Sequence, residues 1–177
     1  MNRYQWLLDS EKPRMLDEAI KELGVLELPG DRDSPTIMGW AAELDLTHNG
    51  YTHDSIPWCG LFMAVIALRA GWTPVKNPLW ALNWKDFGQD VATAPTPRQP
   101  ALGDVMVYRR NSGGHVNQYV GEDDSHYHGI GGNQSDAVTF GRYPKGNLVA
   151  CRRAPWRIEQ PKSVRPIVLR RDGSAIT

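Results

Sequence analysis

Ile56-Pro57-Trp58-Cys59-Gly60-Leu61-Phe62 is the stretch in which a turn gives way to an apolar run with helical spacing. The spacing continues to Ala70, and Gly71 has the residue type that usually ends a helix. Cys59 is therefore expected in the first turn, where the positive end of the helix dipole favours a thiolate. The stretch predicts a helix that begins at a reactive cysteine.

Two further helices are predicted before this one, over 13–24 and 35–44, from apolar spacing and from Ser34-Pro35 as a typical helix start. After Gly103 the pattern changes to short alternating runs, which indicate strands over 104–108, 115–120, 126–130 and 148–152. Helices followed by strands predict an α+β domain in which N-terminal helices pack on an antiparallel β-sheet.

A histidine and an asparagine complete the candidate site. His115 starts the second predicted strand, directly after a glycine-rich loop, and Asn133 follows the next strand. A thiol nucleophile needs a base, and the base needs a group that orients its ring, so we predict Cys59 as nucleophile, His115 as base and Asn133 as orienting residue. Two alternatives stay open: Cys59 as a small core residue, and Asn133 as a turn residue.

Composition excludes some classes of function and leaves others open. The chain has 177 residues and a formal net charge of zero, which argues against nucleic-acid binding. It contains no apolar run long enough for a membrane span and no signal-peptide pattern. The only cysteines are Cys59 and Cys151, for which a disulfide is a possible alternative. A metal site at His126 and His128 is disfavoured, and no cofactor is predicted.

Six short motifs occur in an order that resembles the CHAP and NlpC/P60-like cysteine peptidases, and the similarity extends from about Trp6 to Pro155. The motifs are Glu27-Leu28-Pro29-Gly30, Ile56-Pro57-Trp58-Cys59, Gly103-Asp104-Val105, Gly114-His115-Val116, Tyr119-Val120-Gly121 and Gly131-Gly132-Asn133-Gln134-Ser135-Asp136. The resemblance implies a papain-like fold and hydrolysis of an amide bond in peptidoglycan, by an N-acetylmuramoyl-L-alanine amidase or a stem or cross-bridge endopeptidase. The broader CHAP pattern has a glutamate in the third role, where this chain has Gly129-Ile130-Gly131-Gly132.

Substrate contacts are expected near the predicted nucleophile and the predicted third residue. The candidates are Trp58, Asp54, Gln134 and Trp84. Aromatic rings suit a glycan or peptide groove, and Trp80 is a further candidate, although core packing is the alternative for each tryptophan.

The resemblance also implies a biological role, most simply that of a phage endolysin or lysin. A monomer of this kind, made in the host cytoplasm without a signal peptide, would act in the periplasm or cell wall and depend on a holin. The alternatives are an interbacterial effector with an immunity protein, and a non-catalytic wall-binding or tail structural protein. The expected catalytic domain covers residues 1–158, and residues 159–177 are expected to form a polar tail.

Overall fold

The computed structural model describes residues 3–111, 113–156 and 158–176 and confirms an α+β architecture. Four α-helices occupy the first part of the chain: α1 Gln5–Leu8, α2 Arg14–Lys21, α3 Pro35–Glu43 and α4 Cys59–Arg69. Helix α4 begins at Cys59 as predicted. The segment that follows Trp80 forms a 3-10 helix, Ala81–Asp86.

The second part of the chain forms one six-stranded sheet in which every neighbouring pair is antiparallel. The strands are β1 Gln89–Asp90, β2 Val105–Arg110, β3 Gly113–Glu122, β4 His126–Gly131, β5 Thr139–Pro144 and β6 Leu148–Arg153. Their order in the sheet is β1-β6-β2-β3-β4-β5. The four predicted strands are confirmed, and β1 and β5 are additional.

Helix α4 lies at the centre of the core. All nine of its residues from Cys59 to Ala67 are buried, because α2 and α3 cover it on one side and β3 on the other. Gly60 is required by this packing: a Cβ at that position would lie 2.1 Å from the carbonyl oxygen of Pro78. The segment after α4 is thereby held directly over the N-terminus of the helix.

The C-terminal segment, expected as a polar tail, contributes to the interior of the domain. Val164, Ile167 and Leu169 are buried, and Ile167 and Leu169 belong to the main core cluster. Val168 forms a parallel bridge with Glu122 at the end of β3. This segment therefore packs against the domain through its alternate apolar residues.

Cys59 and Cys151 are both free, so the disulfide alternative is wrong. In the part of the chain that the structure describes, no helix combines the length and the apolar character that crossing a bilayer requires.

Candidate active site

Cys59 and His115 line the same cavity, which has a volume of about 560 Å³. The cavity lies between the start of α4, the start of β3 and the segment around Trp80. Its lining residues are Ile56, Pro57, Cys59, Leu79, Trp80, Ala81, Leu82, Arg110, Gly113, Gly114, His115 and Asn133. The fold thus brings the predicted nucleophile, base and third residue to one concave site.

The sulfur of Cys59 is surrounded by backbone donors. The N–H groups of Val116, Gly60 and Cys59 itself all lie close enough to stabilise a negative charge on it. Two of these groups belong to the first turn of α4, where N–H groups have no partner within the helix. The third belongs to the residue after His115, so the sulfur meets β3 next to the predicted base.

His115 is held in one tautomer by Gln134. The Nε2 atom of His115 lies 3.0 Å from Oε1 of Gln134. This oxygen can only accept, so Nε2 carries the proton and Nδ1 keeps its lone pair. Nδ1 has no hydrogen-bond partner among the described residues, and it is the ring atom available to take a proton from a thiol.

The orientation of the Gln134 amide follows from its other partners. Its Nε2 donates to the carbonyl oxygens of Gly129 and Thr139, which fixes that end as the nitrogen. Its Oε1 also accepts from Asn117 and from the hydroxyl of Tyr143, at 3.2 and 2.9 Å. The buried amide is therefore fully used, and it cannot turn without breaking several hydrogen bonds.

Glycines on β4 and β5 make room for this amide. A Cβ at Gly131 would lie 2.9 Å from Oε1 of Gln134, and one at Gly141 would lie 3.1 Å from its Nε2. The glycine-rich stretch 129–132, which stands where the broader pattern has a glutamate, thus leaves space for the side chain of Gln134 from the following turn.

The orienting contact predicted for Asn133 is made by its neighbour. Asn133 has a left-handed backbone with φ of 53°, a conformation that asparagine tolerates well in turns. The turn alternative therefore describes its backbone. Its side chain lines the cavity and makes no hydrogen bond within the described part of the chain, so the amide is available to a substrate.

Tyr143 covers one face of the imidazole. Its ring stacks on His115 with a centroid separation of 4.9 Å and an interplanar angle of 17°. This residue was missed because β5 lacks the alternating pattern from which strands are predicted. Arg110, also missed, lies 5.8 Å from the centre of the Tyr143 ring.

The protonation state of Cys59 differs from the expected thiolate. Burial raises the pKa of the Cys59 thiol above its ordinary value, against the opposing effects of nearby N–H groups and of Arg110. Burial and the charge of Arg110 lower the pKa of His115 to about 3, although the hydrogen bond to Gln134 opposes this. Both groups are neutral near pH 7, and no hydrogen bond joins them in the described structure.

All four predicted substrate contacts are buried and already used internally, Gln134 through the hydrogen bonds described above. The indole N–H groups of Trp58 and Trp84 donate to Glu27 and to the carbonyl of Pro78. Asp54 is 1% exposed and accepts from two backbone N–H groups. Trp80, by contrast, is 74% exposed and lines the cavity.

The loop over 51–55 precedes the predicted nucleophile along the chain. None of its residues lines the cavity, and the Tyr51 hydroxyl donates to the carbonyl of Ile56.

Among the described residues no group of metal-ligating side chains is found. His128 instead bonds Asp123 at 2.9 Å, and Arg142 pairs with the same carboxylate.

Comparison with protein-family models, curated proteins and solved structures gives no match to this chain.

Proposed function

We propose that the protein is a cysteine hydrolase that cleaves an amide bond in peptidoglycan. One observation carries the proposal: Gln134 fixes the His115 tautomer in which Nδ1 is unprotonated, in the same cavity as a cysteine at the start of a buried helix. A histidine with only a packing role would not need a buried amide that is itself held by four further hydrogen bonds.

The reaction begins from a neutral pair. As Cys59 attacks the carbonyl carbon of the scissile amide, its proton passes to Nδ1 of His115, and the carbonyl oxygen becomes an oxyanion. His115 then protonates the leaving amine, which departs and leaves a thioester on Cys59. Water, deprotonated by the same ring nitrogen, hydrolyses the thioester and restores the thiol.

Backbone and side-chain donors near the sulfur are suited to the developing negative charge. The N–H of Cys59 belongs to the first helical turn, where such groups have no partner within the helix, and Asn133 lines the same cavity. Removal of one oxyanion donor typically raises the barrier by about 3 kcal/mol. We therefore assign Asn133 to substrate binding and Gln134 to positioning of the base.

The papain-like arrangement is the fold that best accounts for this site. Its supports are the helix that begins at the nucleophile, the antiparallel sheet that carries the base, and the six motifs in order. Peptidoglycan as substrate rests on the motif resemblance and on an open cleft with an exposed indole, Trp80, suited to a sugar or peptide face. The endolysin role and the holin stay predictions of the resemblance.

Digestion of purified peptidoglycan sacculi tests the proposal. Mass spectrometry of the released fragments should show one kind of new amine and carboxyl end, which identifies the bond. Cys59→Ala and His115→Ala should each reduce the rate by at least about 1,000-fold, because each removes a group that takes part in bond making. His48→Ala, at an exposed histidine outside the cavity, is the matched control and should digest sacculi at the wild-type rate. Absence of new ends with the wild type would refute the proposed function.

A further inference from the structure

Arg110 is the charged residue of the active-site cavity. Of the described residues that line this cavity, it alone carries a formal charge. It also lines the adjoining hollow formed with Asn133, Gln134 and Tyr143. The positive charge of Arg110 therefore lies between the cavity that contains Cys59 and the hollow beside β5.

The guanidinium is held in place by the aromatic ring that covers the base. It lies 5.8 Å from the ring centre of Tyr143, and its Nη2 is 3.5 Å from the Tyr143 hydroxyl. Tyr143 is fixed in turn by stacking on His115 and by its hydrogen bond to Gln134. Arg110 is therefore preoriented by the same cluster that orients the imidazole.

No carboxylate of the described chain pairs with Arg110. Four other arginines are neutralised in ion pairs with acidic side chains: Arg69, Arg142, Arg152 and Arg153. Arg110 is exposed, and its hydrogen-bonding edge remains available for an anion. Guanidinium groups bind carboxylates through paired, charge-assisted hydrogen bonds.

We propose that Arg110 binds a carboxylate of the substrate and selects peptides that carry a free carboxylate close to the scissile amide. The inference rests on the proposed function, since it concerns the same site. Stem peptides of peptidoglycan carry such carboxylates, whereas an amidated peptide presents a neutral group that would leave the guanidinium unpaired. Arg110 is thus a specificity-determining residue, distinct from the nucleophile and the base.

Binding of a carboxylate there has a consequence for the base. The charge of Arg110 opposes protonation of His115, after the larger effect of burial. A bound carboxylate neutralises that charge, so the imidazole accepts the thiol proton more readily when the correct substrate is in place.

The test compares two substrates and four proteins. The substrates are purified sacculi and the same sacculi with carboxylates converted to carboxamides by carbodiimide and ammonium chloride. The proteins are wild type, Arg110→Gln, Arg110→Lys and Arg109→Gln. Arg109 is the matched control, because it is the exposed neighbour on the same strand and does not line the cavity. Initial rates of new-end release are measured at low substrate concentration, and circular dichroism shows that each variant is folded.

Wild type and Arg109→Gln should lose about 10- to 100-fold in rate on amidated sacculi, the usual contribution of a hydrogen-bonded ion pair. Arg110→Gln should be slow on both substrates and differ between them by less than about threefold. Arg110→Lys should keep part of the preference, because it keeps the charge and loses the paired geometry.

Equal rates of the wild type on both substrates would overturn the inference while leaving the proposed hydrolase intact. So would an Arg110→Gln variant that keeps the full wild-type preference. A wild type that cleaves neither substrate would overturn the proposed function, and with it this assignment of Arg110.

Discussion

Stability at acid pH should depend on His115 more than on any exposed histidine. The ring is 1% exposed, and burial and Arg110 lower its pKa from 6.5 to about 3. In the unfolded chain the ring regains its ordinary pKa, so between these two values the unfolded state binds more protons. Stability is therefore complete above the unfolded pKa and is lost as the pH falls towards the folded pKa.

The size of the effect follows from this difference in pKa. Each pKa unit corresponds to about 1.4 kcal/mol, so the transfer from about pH 7.5 to about pH 4 should cost about 3 kcal/mol through this one ring. Arg142 is the main cause that holds the pKa of Asp123 below its usual range, so the contribution of this carboxylate to folding stability also decreases at low pH. A comparison of variants removes this shared contribution.

Urea unfolding of wild type, His115→Gln and His48→Gln at both pH values provides the assay. His115→Gln should lose about 3 kcal/mol less than wild type over this pH range, whereas His48→Gln, at an exposed imidazole, should behave as wild type. Nuclear magnetic resonance of the His115 ring should show neutral imidazole down to about pH 4. A ring that titrates near 6.5, or identical pH dependence in wild type and His115→Gln, would refute the reasoning.

Four further predictions concern the site and its support. Gln134→Ala should reduce turnover by about 100-fold and the free energy of unfolding by about 2 to 4 kcal/mol, since it leaves His115, Asn117 and Tyr143 without their shared acceptor. Asn133→Gly, which preserves the left-handed backbone, should reduce turnover without that loss of stability. If denaturation and sacculus assays instead showed the larger losses of stability and turnover for Asn133→Gly than for Gln134→Ala, the orienting role would belong to Asn133. In the Cys151→Ser variant, the rate at which iodoacetamide alkylates Cys59 should continue to increase above about pH 9, because burial raises the pKa of the Cys59 thiol. A rate that is already maximal at about pH 6 would indicate a preformed thiolate. Gly60→Ala should destabilise the protein by about 2 kcal/mol or more, because its Cβ would lie 2.1 Å from a backbone oxygen. Gly39→Ala is the control: the space around this residue of α3 is open, and the substitution should stabilise the protein by up to about 1 kcal/mol. Equal effects of the two substitutions on thermal unfolding would contradict the packing described around α4.

Local sequence patterns were sufficient to predict the elements that carry the nucleophile and the base. Apolar spacing after Cys59 and alternation after His115 are properties of neighbouring residues, and α4 and β3 follow them. Strand β5 was missed because its residues are partly buried on both faces and include Gly141 and Arg142, so no alternation marks it.

The third residue and the charge states required tertiary information. Gln134 rather than Asn133 reaches His115, because the residue after the left-handed turn at Asn133 places its side chain in the space left by glycines on β4 and β5. The helix dipole predicts an acidic thiol, but burial by distant elements has the larger effect on the pKa of Cys59. Neither effect is visible in a short sequence window.

The central claim is that the sulfur of Cys59 makes the bond to the substrate. Carbamidomethylation of the Cys151→Ser protein tests it directly, because Cys59 is then the only thiol in the chain. Peptide mapping gives the modified fraction, and sacculus digestion gives the remaining activity of the same samples. Activity should fall in direct proportion to modification of Cys59 and reach zero when modification is complete, whereas full activity in fully modified protein would contradict the mechanism.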